Sequence, residues 1–161
     1  MKNVFVASCA VPALAALLGA GCAERPFVRQ DPPVSSQGVT VSLAGEKCDR
    51  EAWYENYDVL DLDMMVKVTN ASSAPVTVNP AELRLLARGN SPVARASRPK
   101  WGDDAVEIAP HSSADVHVRF QRWGNARCDQ EMQLSMGAAV VQSGQNVTLA
   151  PISFVATRTD A

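Results

Sequence analysis

The chain has 161 residues, and its 15 lysines and arginines almost balance 17 aspartates and glutamates, which gives a formal net charge of −2 at pH 7. Nucleic-acid-binding domains normally carry a strong excess of positive charge, so this balance argues against that class. The length suits one compact domain preceded by a leader segment.

The chain opens with a pattern typical of an export signal. After Lys2, residues 4–18 are almost uncharged, and they are too few for a bilayer-spanning helix, which needs about 20 apolar residues. They match the apolar part of a secretory signal, which is about 7–15 residues long and is followed by small residues. Residues 1–21 are therefore predicted to be a signal peptide.

The end of this signal, Gly19-Ala20-Gly21-Cys22, resembles the lipobox of bacterial lipoproteins, with Leu18 four residues before the cysteine where the family usually has it three before. The resemblance implies cleavage before Cys22, acylation of its thiol (palmitate) and attachment to the membrane through this N-terminal lipid. An ordinary cleaved signal and an uncleaved anchor are the alternatives, and all three export the rest of the chain. Ala23 in place of aspartate implies, by the same family analogy, residence at the outer membrane, facing the periplasm.

Two cysteines remain for the exported domain once Cys9 is removed with the signal and Cys22 carries the lipid. An even pair in an oxidising compartment is most simply a disulfide, so Cys48 and Cys128 are predicted to be bonded to each other. Neither residue lies in a Cys-x-x-Cys or Cys/His cluster, which disfavours a zinc site and a redox-active pair.

The exported chain divides into a tether and a domain. Residues 22–38 contain three prolines and no sustained periodicity, which is typical of a flexible tether. The remaining residues, 39–157, are predicted to form the folded domain.

Period-two alternation predicts strands through this domain. The clearest is 59–70, and the same pattern predicts strands over 38–44, 114–122, 131–137 and 145–156. In the last of these the phase shifts at Pro151, which indicates a bulge or an edge strand. A short helix is considered only for 46–57.

Turn signals separate these strands at 70–75, 89–92, 110–113 and 143–146, and the pattern predicts an all-β protein, an immunoglobulin-like antiparallel β-sandwich of about seven to eight strands. The stretch VKVTNASSAPVTVNPAELRLL (66–86) resembles the β-hairpin of small bacterial immunoglobulin-like extracellular domains of the DUF4352 and telokin-like type. The stretch EIAPHSSADVHVRF (107–120) resembles their later element, in which a turn of proline and small residues leads into a strand that ends in phenylalanine. The resemblance implies the fold and says little about activity, because sandwich domains host unrelated functions.

No set of catalytic residues is evident. The two histidines, His111 and His117, fall in a predicted turn and on an outward strand face beside Arg119, and no serine stands in a Gly-x-Ser-x-Gly elbow. We therefore expect no catalytic residue and no cofactor, and solvated surface roles for both histidines.

Metal binding is also disfavoured. Methionines could ligate copper, but Met64, Met132 and Met136 fall on the apolar phase of their strands, where methionine fills gaps in a core, and only Met65 breaks that pattern. Calcium needs six to eight oxygens in a flexible loop. The remaining candidates, Asp58, Asp61 and Asp63, are better explained as a charged solvent face.

All tryptophans and tyrosines fall in predicted loops or at strand entrances, where binding residues commonly lie. Arginines accompany two of them, a combination suited to stacking on sugars or pairing with anions. The alternative is that these residues only cover the ends of the sandwich and the disulfide. The candidate binding loops consist of Trp53, Tyr54, Tyr57, Arg98, Trp101, Arg122 and Trp123.

The sequence therefore favours an exported, lipid-anchored, non-catalytic binding or assembly module of the bacterial cell envelope. Its expected partners are the membrane, through the lipid, and another envelope protein or cell-wall glycan. The alternative is a structural accessory subunit of an envelope complex that makes contact through a sheet edge. A metal carrier or an enzyme is less favoured.

Overall fold

The computed structural model describes residues 29–52, 58–87, 91–97, 105–123 and 128–156. These residues include one turn of 3₁₀ helix, Pro80–Glu82, and thirteen strands. The strands are β1 (Arg29–Gln30), β2 (Val34–Ser36), β3 (Val39–Ala52), β4 (Asp58–Asn70), β5 (Val76–Val78), β6 (Arg84–Ala87), β7 (Ser91–Ser97), β8 (Val106–Ile108), β9 (Ser112–Trp123), β10 (Glu131–Ser135), β11 (Val140–Gln142), β12 (Gln145–Asn146) and β13 (Ile152–Val155). None of the described residues belongs to a helix with the length and hydropathy that a membrane span requires.

The strands form two antiparallel sheets. The larger has nine strands in the order β1-β13-β10-β6-β7-β9-β4-β3-β2, and the smaller has four in the order β12-β11-β5-β8. The edge strands β1 and β2 are separated along the chain only by residues 31–33. Because a chain advances at most about 3.6 Å per residue, these two edges lie close together, and the larger sheet folds back on itself into facing layers. The predicted all-β sandwich is confirmed.

One side of each long strand faces a common core. In β4 the alternate residues predicted to point inward are all buried, with relative exposures of 1% or less. The inward positions predicted for β9 and β10 are buried too, except that Ala114 is only partly buried. The large side chains of this core include Leu60, Leu62, Met64, Phe120, Met132, Leu134, Ile152 and Phe154.

The described residues contain more strands than the seven or eight expected. Several of them, such as β1, β2 and β12, have two or three residues, which is too short to produce a period-two signal. The sequence predicts one strand over 145–156, but residues 147–151 lie outside any strand. The phase shift at Pro151 thus marks a break between β12 and β13, and β13 is no edge, because β1 and β10 flank it.

The helix considered for 46–57 is wrong over 46–52, and residues 53–57 lie outside the described residues. Strand β3 continues to Ala52 and pairs with β4 from Val39 to Ala52, with one register shift between Gly45 and Lys47. This long ladder satisfies the backbone hydrogen bonds that a helix would otherwise supply.

Two short parts of the predicted tether, residues 29–30 and 34–36, take part in strand pairing. Strand β1 pairs with β13, and β2 pairs with β3 through Val34 opposite Val41. Val34 also packs against the core. The folded domain therefore begins before residue 39, because even a proline-containing segment can bond to a sheet edge.

The disulfide predicted between Cys48 and Cys128 is present, with a Cα–Cα distance of 5.8 Å. Both residues are buried. Cys48 belongs to β3 and Cys128 precedes β10, and these strands stand five places apart in the order of the larger sheet. The bond therefore ties distant parts of that sheet together through the core.

A buried asparagine holds the two sheets together. Asn70, the last residue of β4, is 0% exposed. Its Nδ2 lies 2.8 Å from the carbonyl oxygen of Ala74 and 3.2 Å from those of Ile108 and Ala109, while its Oδ1 accepts hydrogen bonds from the backbone N–H and the hydroxyl of Ser72. Since Ile108 ends β8, this amide joins the larger sheet to the smaller one.

Replacing both Cys48 and Cys128 with alanine is expected to lower the free energy of unfolding by about 4 kcal/mol, because the bond closes a loop with a sequence separation of 80 residues in the unfolded chain. Urea denaturation of the oxidised wild type and the double variant measures this difference. A reducing agent should destabilise the wild type and leave the double variant unchanged. Equal stabilities would contradict the prediction.

Candidate functional site

Five of the seven residues of the candidate binding loops, Trp53, Tyr54, Tyr57, Arg98 and Trp101, lie outside the described residues. The other two are the last residues of β9, where the backbone of Arg122 lies opposite Leu60 and that of Trp123 opposite Val59. Trp123 thus belongs to a strand and not to the loop that follows it.

The backbone register relates Trp123 to the disulfide. Cys48, Leu62 and Phe120 lie opposite one another in β3, β4 and β9, three positions before Trp123 along β9. The bond therefore braces the part of the ribbon β3-β4-β9 that leads to Trp123. Strand β7, which precedes Arg98 and Trp101, ends with Ser97 opposite Arg119, four positions before Trp123.

The outward residues of β4 and β9 form a polar face, defined by Asp61, Asp63, Lys67, Asp115, His117, Arg119 and Gln121. Across the two strands, Asp61 lies opposite Gln121, Asp63 opposite Arg119, and Lys67 opposite Asp115. Opposite charges thus face each other twice, an arrangement that stabilises an antiparallel pair.

The centre of the polar face is an ion pair between Asp61 and Arg119. Both guanidinium nitrogens Nε and Nη2 donate to the carboxylate, with Nε 2.7 Å from Oδ1. The Asp61 side chain is only 10% exposed, whereas that of Arg119 is 44% exposed. The solvent face expected for Asp61 is therefore wrong: the carboxylate is covered, and its charge is balanced by a bidentate arginine.

His117 and His111 are both exposed, as the surface roles expected for them require. Nε2 of His117 lies 4.0 Å from Oδ1 of Asp63, too far for a hydrogen bond. His111 occupies a turn with a φ of 55°. Cys48 and Cys128 are bonded to each other, so neither offers a thiol that a histidine could activate.

The described part of the chain contains no group of three or more histidine, cysteine, aspartate or glutamate residues suited to a metal. Met64, Met132 and Met136 are buried in the core, which agrees with the role predicted for them. Met65 is partly exposed and lies opposite His117 in the ladder.

A small cleft lies beside β1 and is lined by Asp31, Glu131, Ser153, Phe154 and Val155. Its volume of about 10 Å³ is room for roughly one water molecule. Asp31 is held there by hydrogen bonds to Ser153 in both directions, from its own N–H to the carbonyl at 2.8 Å and from the Ser153 N–H to its carboxylate at 3.0 Å. The cleft is too small for an organic ligand. The hydrogen bonds of Asp31 to Ser153 hold the chain after β1 against β13.

Sequence reasoning missed the contributions of Asp61 and Asn70. The alternation along β4 shows that Asp61 points outward, but it does not show which outward residue is covered. Asn70 stands before a serine-rich turn and gives no signal that its side chain reaches the end of β8.

No family model matches this chain, and no curated protein matches it. Among solved structures, it is similar to a protein solved as the structural-genomics target SoR45 (12% identity, TM-score 0.48, 76% of this chain and 89% of that one) and to the yjhA protein from Bacillus subtilis (10%, 0.47, 74% and 93%). It is also similar to the apo PmoF2 PCuAC domain (13%, 0.43, 81% and 98%). Likenesses this distant carry no argument about function.

Replacing Arg119 with methionine is expected to destabilise the fold by about 2 kcal/mol, because Asp61 then keeps a covered charge without its cation. This value lies between the cost of breaking an exposed pair and that of breaking a fully buried one, since Arg119 itself is partly exposed. Urea denaturation measures the loss.

Two further variants test this cause. Adding Asp61→Asn to Arg119→Met removes the covered charge and is expected to restore most of the stability. Lys67→Met, an exposed position on the same face, is the matched control and should change stability by less than about 0.5 kcal/mol. If Arg119→Met is no less stable than the control, the ion pair does not support the fold.

Proposed function

We propose that this protein is an exported, lipid-anchored, non-catalytic binding or assembly module of the bacterial cell envelope, held at the outer membrane and facing the periplasm. The observation that carries the proposal is the buried bond between Cys48 and Cys128. Structural disulfides persist in oxidising compartments and are rare in the reducing cytosol. The bond therefore supports export, which the lipobox-like segment before Cys22 also indicates.

The end of the ribbon β3-β4-β9 is the proposed contact region. Arg122 and Trp123 are the last residues of β9 and lie opposite Leu60 and Val59, near the start of β4. Phe120, which shares a row of paired residues with the disulfide-bonded Cys48, lies three positions before Trp123. Binding residues are most effective on a rigid scaffold, and tryptophan and arginine are enriched at contact hot spots. Cell-wall glycan and another envelope protein are both partners that such side chains suit.

The chemistry of the described residues supports a non-catalytic role. The arginine on the polar face is committed to Asp61, and the two described cysteines are committed to each other. These groups are thus engaged in holding the fold.

A structural accessory subunit is the second candidate, and the edges of the larger sheet favour it. In the described part of the chain, the short strands β1 and β2 end the strand order of this sheet. Exposed sheet edges accept further strands from other chains.

The lipid anchor is tested by mass spectrometry of full-length protein extracted from bacterial membranes. We expect a chain that begins at Cys22 and carries fatty acyl groups, and incorporation of labelled palmitate that Cys22→Ser abolishes. Cys9→Ser is the matched control and should keep the label. An unmodified chain that still begins with Met1 would contradict the proposed lipid anchor.

The contact region is tested with two probes, purified peptidoglycan sacculi and detergent-solubilised envelope proteins. Wild-type protein is expected to bind at least one of them, and Trp123→Ala and Arg122→Ala to reduce that binding at least tenfold with little change in melting temperature. Lys67→Ala, on the polar face, is the control and should bind normally. If binding survives both substitutions, the contact does not lie at the end of β9. A wild type that binds neither probe would contradict the binding role.

A further inference from the structure

The chain from the proposed lipid anchor joins the domain at one end of the larger sheet. Arg29, the first residue of β1, lies opposite Val155, the last residue of β13, and Val155 lies opposite Glu131, the first residue of β10. Two residues after Arg29, Asp31 is held to Ser153 by hydrogen bonds in both directions. The entry point of the chain is therefore fixed at this end of the sheet.

The contact region lies at the same end. Strand β6 ends with Ala87, which lies opposite Met132 near the start of β10 and opposite Ser91, the first residue of β7. Strand β7 pairs antiparallel with β9, so the start of β7 lies toward the end of β9. That end is Trp123, and we call this side of the domain, which holds both Arg29 and Trp123, the tether end.

The opposite side of the domain carries turns. Asn70 ends β4 there and lies opposite Val39, which starts β3, and opposite Ser112, which starts β9. The exposed Ser73 belongs to the turn that follows Asn70. Strand β4 has 13 residues, and at about 3.3 Å per residue it separates this turn end from the tether end by about 40 Å.

The link to the anchor is shorter than the domain. Arg29 is the seventh residue after Cys22, and seven residues span at most about 25 Å. If the anchored domain stood on its turn end, Arg29 would lie about 40 Å above the membrane, beyond the reach of that link. The tether end, and the contact region with it, is therefore the side that faces the membrane.

Two carboxylates at the tether end disfavour direct contact with bare lipid. The side chains of Asp31 and Glu131 are both exposed, and they line the same small cleft. Anionic headgroups give a membrane surface a negative potential, which repels carboxylates. A protein embedded in the membrane can instead present cations to them.

We propose that the contact region works at the membrane surface and that its partner is a protein embedded in the membrane that holds the anchor. The inference rests on the proposed lipid anchor at Cys22 and narrows the partner of the same region to one class. Cell-wall glycan forms a layer of its own, and the domain turns its other end away from the membrane.

The orientation is tested with full-length lipidated protein in vesicles of phosphatidylethanolamine and phosphatidylglycerol that carry nitroxide quenchers on their headgroups. A fluorescent dye is attached to one introduced thiol, either Glu131→Cys at the tether end or Ser73→Cys at the turn end. The other cysteines of the mature chain do not compete, because Cys22 carries the lipid and Cys48 is bonded to Cys128. We expect quenching at least threefold stronger from Glu131→Cys than from Ser73→Cys.

The outcomes separate this inference from the anchor on which it rests. Equal quenching, or stronger quenching from Ser73→Cys, in protein that is bound to the vesicles would overturn the orientation and leave the anchor intact. Cys22→Ser is the control and should neither bind the vesicles nor be quenched. A wild-type chain that mass spectrometry shows to carry no lipid would overturn both.

The partner is tested by photo-cross-linking of the full chain in bacterial membranes. The photoreactive p-benzoylphenylalanine replaces either Gln121, two positions before Trp123, or Ser113 near the other end of the same strand. Both positions are exposed, lie on the same face of β9 and are about 26 Å apart. The probe at 121 is expected to give at least fivefold more adduct with a protein that resists extraction by alkaline carbonate.

A further variant ties the adduct to the contact region. Trp123→Ala is expected to lower the yield from the probe at 121 at least fivefold, and Lys67→Ala to leave it unchanged. Circular dichroism and thermal melting report the fold of every variant. Adducts with lipid or sacculus alone, equal yields from 121 and 113, or no protein adduct at all would overturn the proposed partner.

Discussion

The alternation of apolar and polar residues along β4 is the constraint on which the fold depends. Strand β4 pairs with β3 on one side from Asp58 to Asn70 and with β9 on the other from Val59 to Asn70. Because successive side chains point to opposite faces, a slip of one residue against either neighbour would bring Leu60, Leu62 and the rest of the apolar set out of the core. Burial of that set thus holds three long strands in one register, and this register places every other feature of the ribbon.

Two buried polar or covalent links fix the ribbon near its two ends. Asn70, at the last position of β4, donates its amide to the carbonyl group of Ile108 in the smaller sheet. Cys48, opposite Leu62, is bonded across the core to Cys128. The first link holds the sheets together where the turns cluster, and the second holds the part that leads to Trp123. Between them the backbone ladders and the hydrophobic core hold the strands together.

Whether the sequence could predict a feature depends on how far apart in the chain the interacting residues lie. The inward face of β4 and the burial of Met132 and Leu134 are local consequences of period two, so they could be predicted. The partner of Cys48 could be predicted because only one free cysteine was left. The cover over Asp61, the amide contacts of Asn70 and the pairing of β1 with β13 arise between residues far apart in the chain, and alternation carries no information about them. The extension of β3 through 46–52 was missed for the same reason, since its charged residues gain strand structure only from the ladder with β4.

The ion pairs within the polar face make it an unfavourable place for a ligand to bind. Arg119 neutralises Asp61, and Lys67 lies opposite Asp115, so the positive charge on this face is largely matched within the molecule. A ligand would have to compete with these contacts and uncover Asp61, whose charge is costly to leave unpaired. The polar face therefore serves the stability of the fold, and the contact region is proposed at the end of β9, outside this face.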